Sequence, residues 1–108
     1  MKRKYVSAYL DIAHRVAELS HARRLKVGAV IVKDDIITYG YNGTPSGWNN
    51  DCEVEIPGSD GVTELVTKTE VLHAESNAIS KMAKSTVSAR DADMFITHSP
   101  CIHCAKMI

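Results

Sequence analysis

A chain of 108 residues, 44% of them hydrophobic, has the size of one small domain with a single core, here spanning 1–108. Thirteen basic residues balance thirteen acidic ones, so no overall field draws it to nucleic acid or to an anionic membrane, while small-molecule chemistry stays open. No apolar run reaches the ~20 residues of a membrane-spanning helix, and Met1-Lys2-Arg3-Lys4-Tyr5 is not followed by an apolar signal core.

In chain order, Val6, Leu10, Ala13, Val16, Ala17 and Leu19 recur at helical spacing and predict a helix over about Lys4 to Ser20. The β-branched run Val27 to Val32 and the segment Ile36 to Tyr41 predict a hairpin turning on Lys33-Asp34-Asp35. Both strands are rich in apolar residues, which suits a sheet covered on both faces. From Asn42 to about Thr69, glycines and prolines punctuate a polar stretch without sustained period, which predicts a long loop of the kind that is functional or disordered. Trp48 there reads as an anchoring hydrophobe or a nucleotide contact, and the Asn42-Gly43-Thr44 glycosylation triplet as coincidental. Leu72 to about Lys84 returns to helix through Ala74, Ala78, Ile79, Met82 and Ala83. Asp93 to Thr97 predicts a third strand, and Pro100 sits where a further helix begins. Three strands with an open edge read as a C-terminally incomplete domain, or as one whose edge a partner covers.

The chemistry lies in His73-Ala74-Glu75 and Pro100-Cys101-Ile102-His103-Cys104. Three cysteines, two in CxxC spacing, suit a metal in a reducing compartment, hence a cytoplasmic setting. One imidazole and two thiols are a zinc site short of one ligand, and catalytic zinc keeps such a position open for water. Helix N-termini favour the thiolate forms of Cys101 and Cys104. Glu75 beside the water, rather than on the metal, is placed to relay protons to a ring nitrogen and a leaving amine. The competing arrangement is a structural zinc closed by Cys52, which leaves the placement of Glu75 without a purpose. His103 reads as solvent-facing, His98 as a strand-end residue, and His14 and His21 as helix-surface residues.

H-x-E…P-C-x-x-C is the pattern of zinc-dependent base deaminases. With Leu25 to Val32, Gly40-Tyr41-Asn42-Gly43-Thr44-Pro45-Ser46-Gly47 and His98 to Ile108, the whole chain resembles the N-terminal two-thirds of the deoxycytidylate (dCMP) deaminases of phages and bacteria. The resemblance implies an α/β fold: a three-layer α/β/α cytidine deaminase-like sandwich around a five-stranded mixed sheet, of which the first three strands are present. It implies zinc on His73, Cys101 and Cys104, and Glu75 as proton shuttle in converting dCMP to dUMP and ammonia for thymidylate synthesis. Ala74 and the Ser99 carbonyl would grip the pyrimidine, Asn42 would lie near the sugar and Lys26 near the 5′-phosphate. A lysine at a loop mouth suits a monophosphate, although a lysine taken alone is equally a solvated one. The resemblance further implies a hexamer in the cytoplasm (of the host, if phage-encoded), with dCTP and dTTP as effectors, together with Mg2+, around Gly40, Tyr41, Asn42 and Gly43. It implies two further strands after Ile108, so that 1–108 alone would be poorly soluble or inactive. Alternatives are a nucleoside or tRNA deaminase, or a non-catalytic zinc-stabilised binding or assembly module.

Overall fold

The structure, a computed structural model, describes residues 1–45, 47–58, 61–85, 88–99 and 102–108. Helix α1 (Arg3–Ala17) precedes the hairpin of β1 (Gly28–Lys33) and β2 (Asp35–Tyr41). A second hairpin, β3 (Glu53–Pro57) and β4 (Thr63–Thr67), leads to helix α2 (Ala74–Ala83), strand β5 (Asp93–Ile96) and helix α3 (Ile102–Met107). Among the described residues no helix is long and apolar enough to cross a membrane.

Strand β1 lies between β2 and β5 and pairs antiparallel with both. Its first five residues are buried, as its unbroken apolar run requires, because each face carries a helix. Val30 and Val32 pack with Ala13 of α1, while Ala29 and Ile31 pack with Ala74 and Ala78 of α2. The result is the expected three-layer arrangement. The β1–β2 turn falls where the sequence puts it, with Asp34 left-handed at φ 60°. Aspartate tolerates that conformation because its short polar side chain bonds locally.

Two glycines fix how closely the layers approach. A Cβ on Gly28 would lie 2.0 Å from the Ala13 carbonyl oxygen, and one on Gly40 would lie 2.4 Å from that of Ala74. Both obstacles are helix backbone, which cannot rotate away.

The stretch from Asn42 to Thr69 differs from the sequence expectation: it contains the β3–β4 hairpin, registered from Glu53↔Thr67 to Pro57↔Thr63. Val54, Ile56 and Val66 on it are exposed, so no buried face marks the strands in the sequence. The hairpin is attached at its base, where Cys52 packs with Ala22 and Val71 and the Lys68 N–H donates to the Cys52 carbonyl at 2.8 Å.

Gly28→Ala is expected to lower the thermal midpoint by roughly 10 °C through overpacking against α1. Calorimetry on the variant checks this, and an unchanged midpoint would contradict the described helix–sheet contact.

Candidate metal centre and its cavity

The start of α2 is set by two backbone ties. Gly43 and Leu72 exchange hydrogen bonds, N–H to carbonyl, at 3.0 and 2.7 Å. Asn77 on the first turns of α2 donates from Nδ2 to the Tyr41 carbonyl at 2.8 Å. His73 is therefore delivered as the extended N-cap of α2, with ψ 155°, and its carbonyl accepts from the Asn77 N–H and from Ser76 Oγ. Glu75 follows in the first turn and is 3% exposed.

Across from this turn, α3 brings up Cys104, whose Sγ lies 3.6 Å from His73 Nδ1. Ligand atoms of His73, Glu75 and Cys104 all lie within 4.8 Å of one another. Two ligands of one tetrahedral zinc, at 2.0–2.1 Å for nitrogen and 2.3 Å for sulfur, must stand about 3.5 Å apart. The His73–Cys104 spacing fits that requirement. Cys101 lies outside the described residues, as does the expectation for the His103 side chain. Cys52 is not a member of the group; its Sγ donates to the Asn50 carbonyl at 3.5 Å, and it packs with Ala22 and Val71.

The group opens into a cavity of about 600 Å³, within the size range of small-molecule sites. His73, Ala74, Glu75 and Ser99 line it together with Asn42, Val27 and His98. Of the residues expected at the substrate, Ala74, Ser99 and Asn42 thus share one cavity with the metal-binding group. The Asn42 amide is tied to backbone there: it accepts from the Val27 N–H and donates to the Leu25 carbonyl, both at 2.8 Å. Lys26 is exposed and does not line the cavity; Arg24 does. Among the described lining residues Arg24 is the one arginine or lysine. Nothing in the sequence separates Arg23, Arg24 and Lys26, since all three lie in a segment without regular structure. What distinguishes two of them is remote: Glu55 and Asp51 engage the Arg23 guanidinium, and Glu53 holds the Arg24 N–H.

The four residues expected at an effector site divide. Tyr41, Asn42 and Gly43 border a second cavity of about 470 Å³ together with Lys81, whereas Gly40 lies against the α2 backbone. Lys81 Nζ sits 4.1 Å from the centroid of the Tyr39 ring and 5.8 Å from that of Tyr41.

Cys52 is 1% exposed, and burial, reinforced by the Glu53 carboxylate, pushes its thiol above its ordinary range. The layered fold and this geometry agree with what known proteins show. Residues 3–108 match the family "Cytidine and deoxycytidylate deaminase zinc-binding region", and the chain belongs to that family. A similar solved protein is the dCMP deaminase of the cyanophage S-TIM5, whose crystal structure holds dCMP and dUMP. That likeness has a TM-score of 0.86 and 45% identity, covering 99% of this chain and 74% of the other. Deoxycytidylate deaminase of Mycobacterium phage D29 is 32% identical over 108 residues, with 93% of this chain and 82% of that protein covered. ComE operon protein 2 of Bacillus subtilis (strain 168) is 39% identical over 101 residues, and the match covers 93% of this chain but 51% of that protein.

In the folded protein at pH 8, Cys52 is expected to react with iodoacetamide roughly tenfold or more slowly than after unfolding, because the thiol is both buried and more protonated. Peptide mapping by mass spectrometry checks this. Equal rates would contradict the buried position of the thiol.

Proposed function

We propose that the chain catalyses the hydrolytic deamination of dCMP to dUMP and ammonia, supplying dUMP for thymidylate synthesis. The observation that carries the proposal is that His73 and Glu75, which group with Cys104, line a nucleotide-sized cavity. The zinc-binding description of the family and the dCMP and dUMP held by the cyanophage protein support it.

His73 and Cys104, with Cys101 as third ligand, would hold the zinc. When bound, zinc acts as a Lewis acid that makes a water nucleophilic near neutral pH. Glu75 would serve as the proton carrier: it would accept a proton from the attacking water and deliver it to N3 as the water oxygen bonds to C4. It would then move the remaining hydroxyl proton to the amine, so that the C4–N bond breaks and ammonia departs from a C4 carbonyl. Glu75 is buried beside His73, which keeps bulk water from competing for its proton. Ala74 and Ser99, on the same wall, are the groups that grip the pyrimidine. Arg24, rather than Lys26, is the cation for the 5′-phosphate, since it borders the cavity and a guanidinium matches a phosphate bidentately.

The proposal extends to a homohexamer in the cytoplasm, with dCTP and dTTP, together with Mg2+, acting as effectors. The second cavity, bordered by Tyr41, Asn42, Gly43 and Lys81, supports the effector part.

Glu75→Gln is expected to lower kcat on dCMP by roughly 10²- to 10⁴-fold while zinc content stays that of the wild type. Steady-state kinetics and elemental analysis on the same preparation check this. Activity retained in the variant would remove Glu75 from the proton relay.

A further inference from the structure

Residues 20–27 run along the cavity without regular secondary structure, and side chains from elsewhere hold backbone groups of Arg23, Arg24, Leu25 and Val27. The Asn42 amide fixes Leu25 and Val27. Glu53 fixes the two residues before them: its Oε1 and Oε2 accept from the Arg23 N–H at 2.9 and 2.8 Å, and Oε2 accepts from the Arg24 N–H at 3.0 Å. Glu53 is 1% exposed. A carboxylate in such a place loses several kcal/mol of hydration unless donors replace the water, and here backbone N–H groups do so. A carboxylate left bare on the cavity wall would also repel a phosphate.

The neighbouring acids sort the two arginines. Glu55 and Asp51 flank Glu53 at every second position and take the Arg23 guanidinium, at 3.0 and 3.4 Å. Arg23 is thereby committed to the hairpin. Arg24 borders the cavity and is held by its N–H on Glu53, and among the described residues no ion pair engages its guanidinium. The acidic trio therefore engages one guanidinium at the hairpin and, among the described residues, leaves the other without an ion pair.

We propose that Glu53 is a positioning residue: by clamping the Arg23 and Arg24 amides it holds the Arg24 guanidinium at the cavity and so sets the preference for a 5′-phosphorylated pyrimidine over its nucleoside. This rests on the deaminase reading above. Glu53 is not a member of the metal-binding group, and it acts through Arg24. Gln at this position keeps the shape but turns an amide donor toward one of the two N–H groups.

The test is the steady-state kinetics of the zinc-loaded protein on dCMP and on deoxycytidine, for wild type, Glu53→Gln, Arg24→Ala and the double variant. Glu53→Gln is expected to raise KM for dCMP about tenfold with kcat unchanged, leave deoxycytidine kinetics as they were, and add nothing in the Arg24→Ala background. Glu53→Asp, which keeps the charge but retracts it by one methylene, should give a smaller rise of the same kind and serves if Glu53→Gln does not fold. Equal losses on both substrates, additive effects in the double variant, or an unchanged dCMP preference in Arg24→Ala would each overturn the inference. Wild-type protein that deaminates dCMP no better than deoxycytidine, or deaminates neither, overturns the functional proposal instead.

Discussion

The contact on which the site depends is the seating of α2 on β2 at Gly40. Any side chain there would strike the helix backbone at Ala74 and Ala78, so the helix axis would have to move outward. His73 and Glu75 sit at the first turn of that helix, within a residue or so of the contact. A shift of the axis by an ångström would therefore move both donors relative to Cys104, which hangs from a different element. The Gly43–Leu72 bridge and the Asn77–Tyr41 hydrogen bond secure the same helix end from two further directions. Precision in the metal-binding group is thus a product of packing between layers, not of the donor residues themselves.

The opposite wall of the cavity is held differently. Residues 20–27 have no ladder and no helix, so their backbone groups must find partners among side chains. Ser20 Oγ donates to the Asn42 carbonyl at 2.6 Å and accepts from the Ala22 N–H, Asn42 holds Leu25 and Val27, and Glu53 holds Arg23 and Arg24. Glu53 stands at the start of a two-stranded ribbon that would be marginal alone. The base of that ribbon ties it to the rest of the molecule through Cys52 and Glu53, the Arg23–Glu55 ion pair adds a second tie, and Val54, Ile56 and Val66 remain exposed. One wall is rigid because layers interlock, the other because hydrogen bonds cross it.

The sequence exposed the first wall and not the second. Helices α1 and α2 and strands β1, β2 and β5 carry apolar patterns strong enough to read directly, and the two glycines fall where those patterns meet. The β3–β4 hairpin does not, because Glu53-Val54-Glu55-Ile56-Pro57 and Thr63-Glu64-Leu65-Val66-Thr67 are short, charged and almost wholly exposed. With no face to bury, the alternation has no consequence that distinguishes a strand from a loop. The His73, Glu75 and Cys104 grouping was legible because few residue types bind zinc and their spacing is characteristic. Arg24 was not, since Arg23, Arg24 and Lys26 are chemically similar and adjacent. Which of them meets the cavity depends on Glu53, about thirty positions along the chain.

Strand β1 has a further property that follows from its central place. Its partner on one side, β2, is the next segment of chain, but its partner on the other side is β5. The tie between Gly28 and Thr97, whose N–H groups donate to the Thr97 hydroxyl and the Gly28 carbonyl, spans 69 residues. A ribosome makes β1 long before Asp93 exists, and chains fold from the N-terminal end as they emerge. During that interval the strand richest in buried apolar residues presents one unpaired edge. Unpaired apolar edges are templates for association with other chains. The segment that supplies the core is accordingly also the one most exposed to misassembly in a nascent chain.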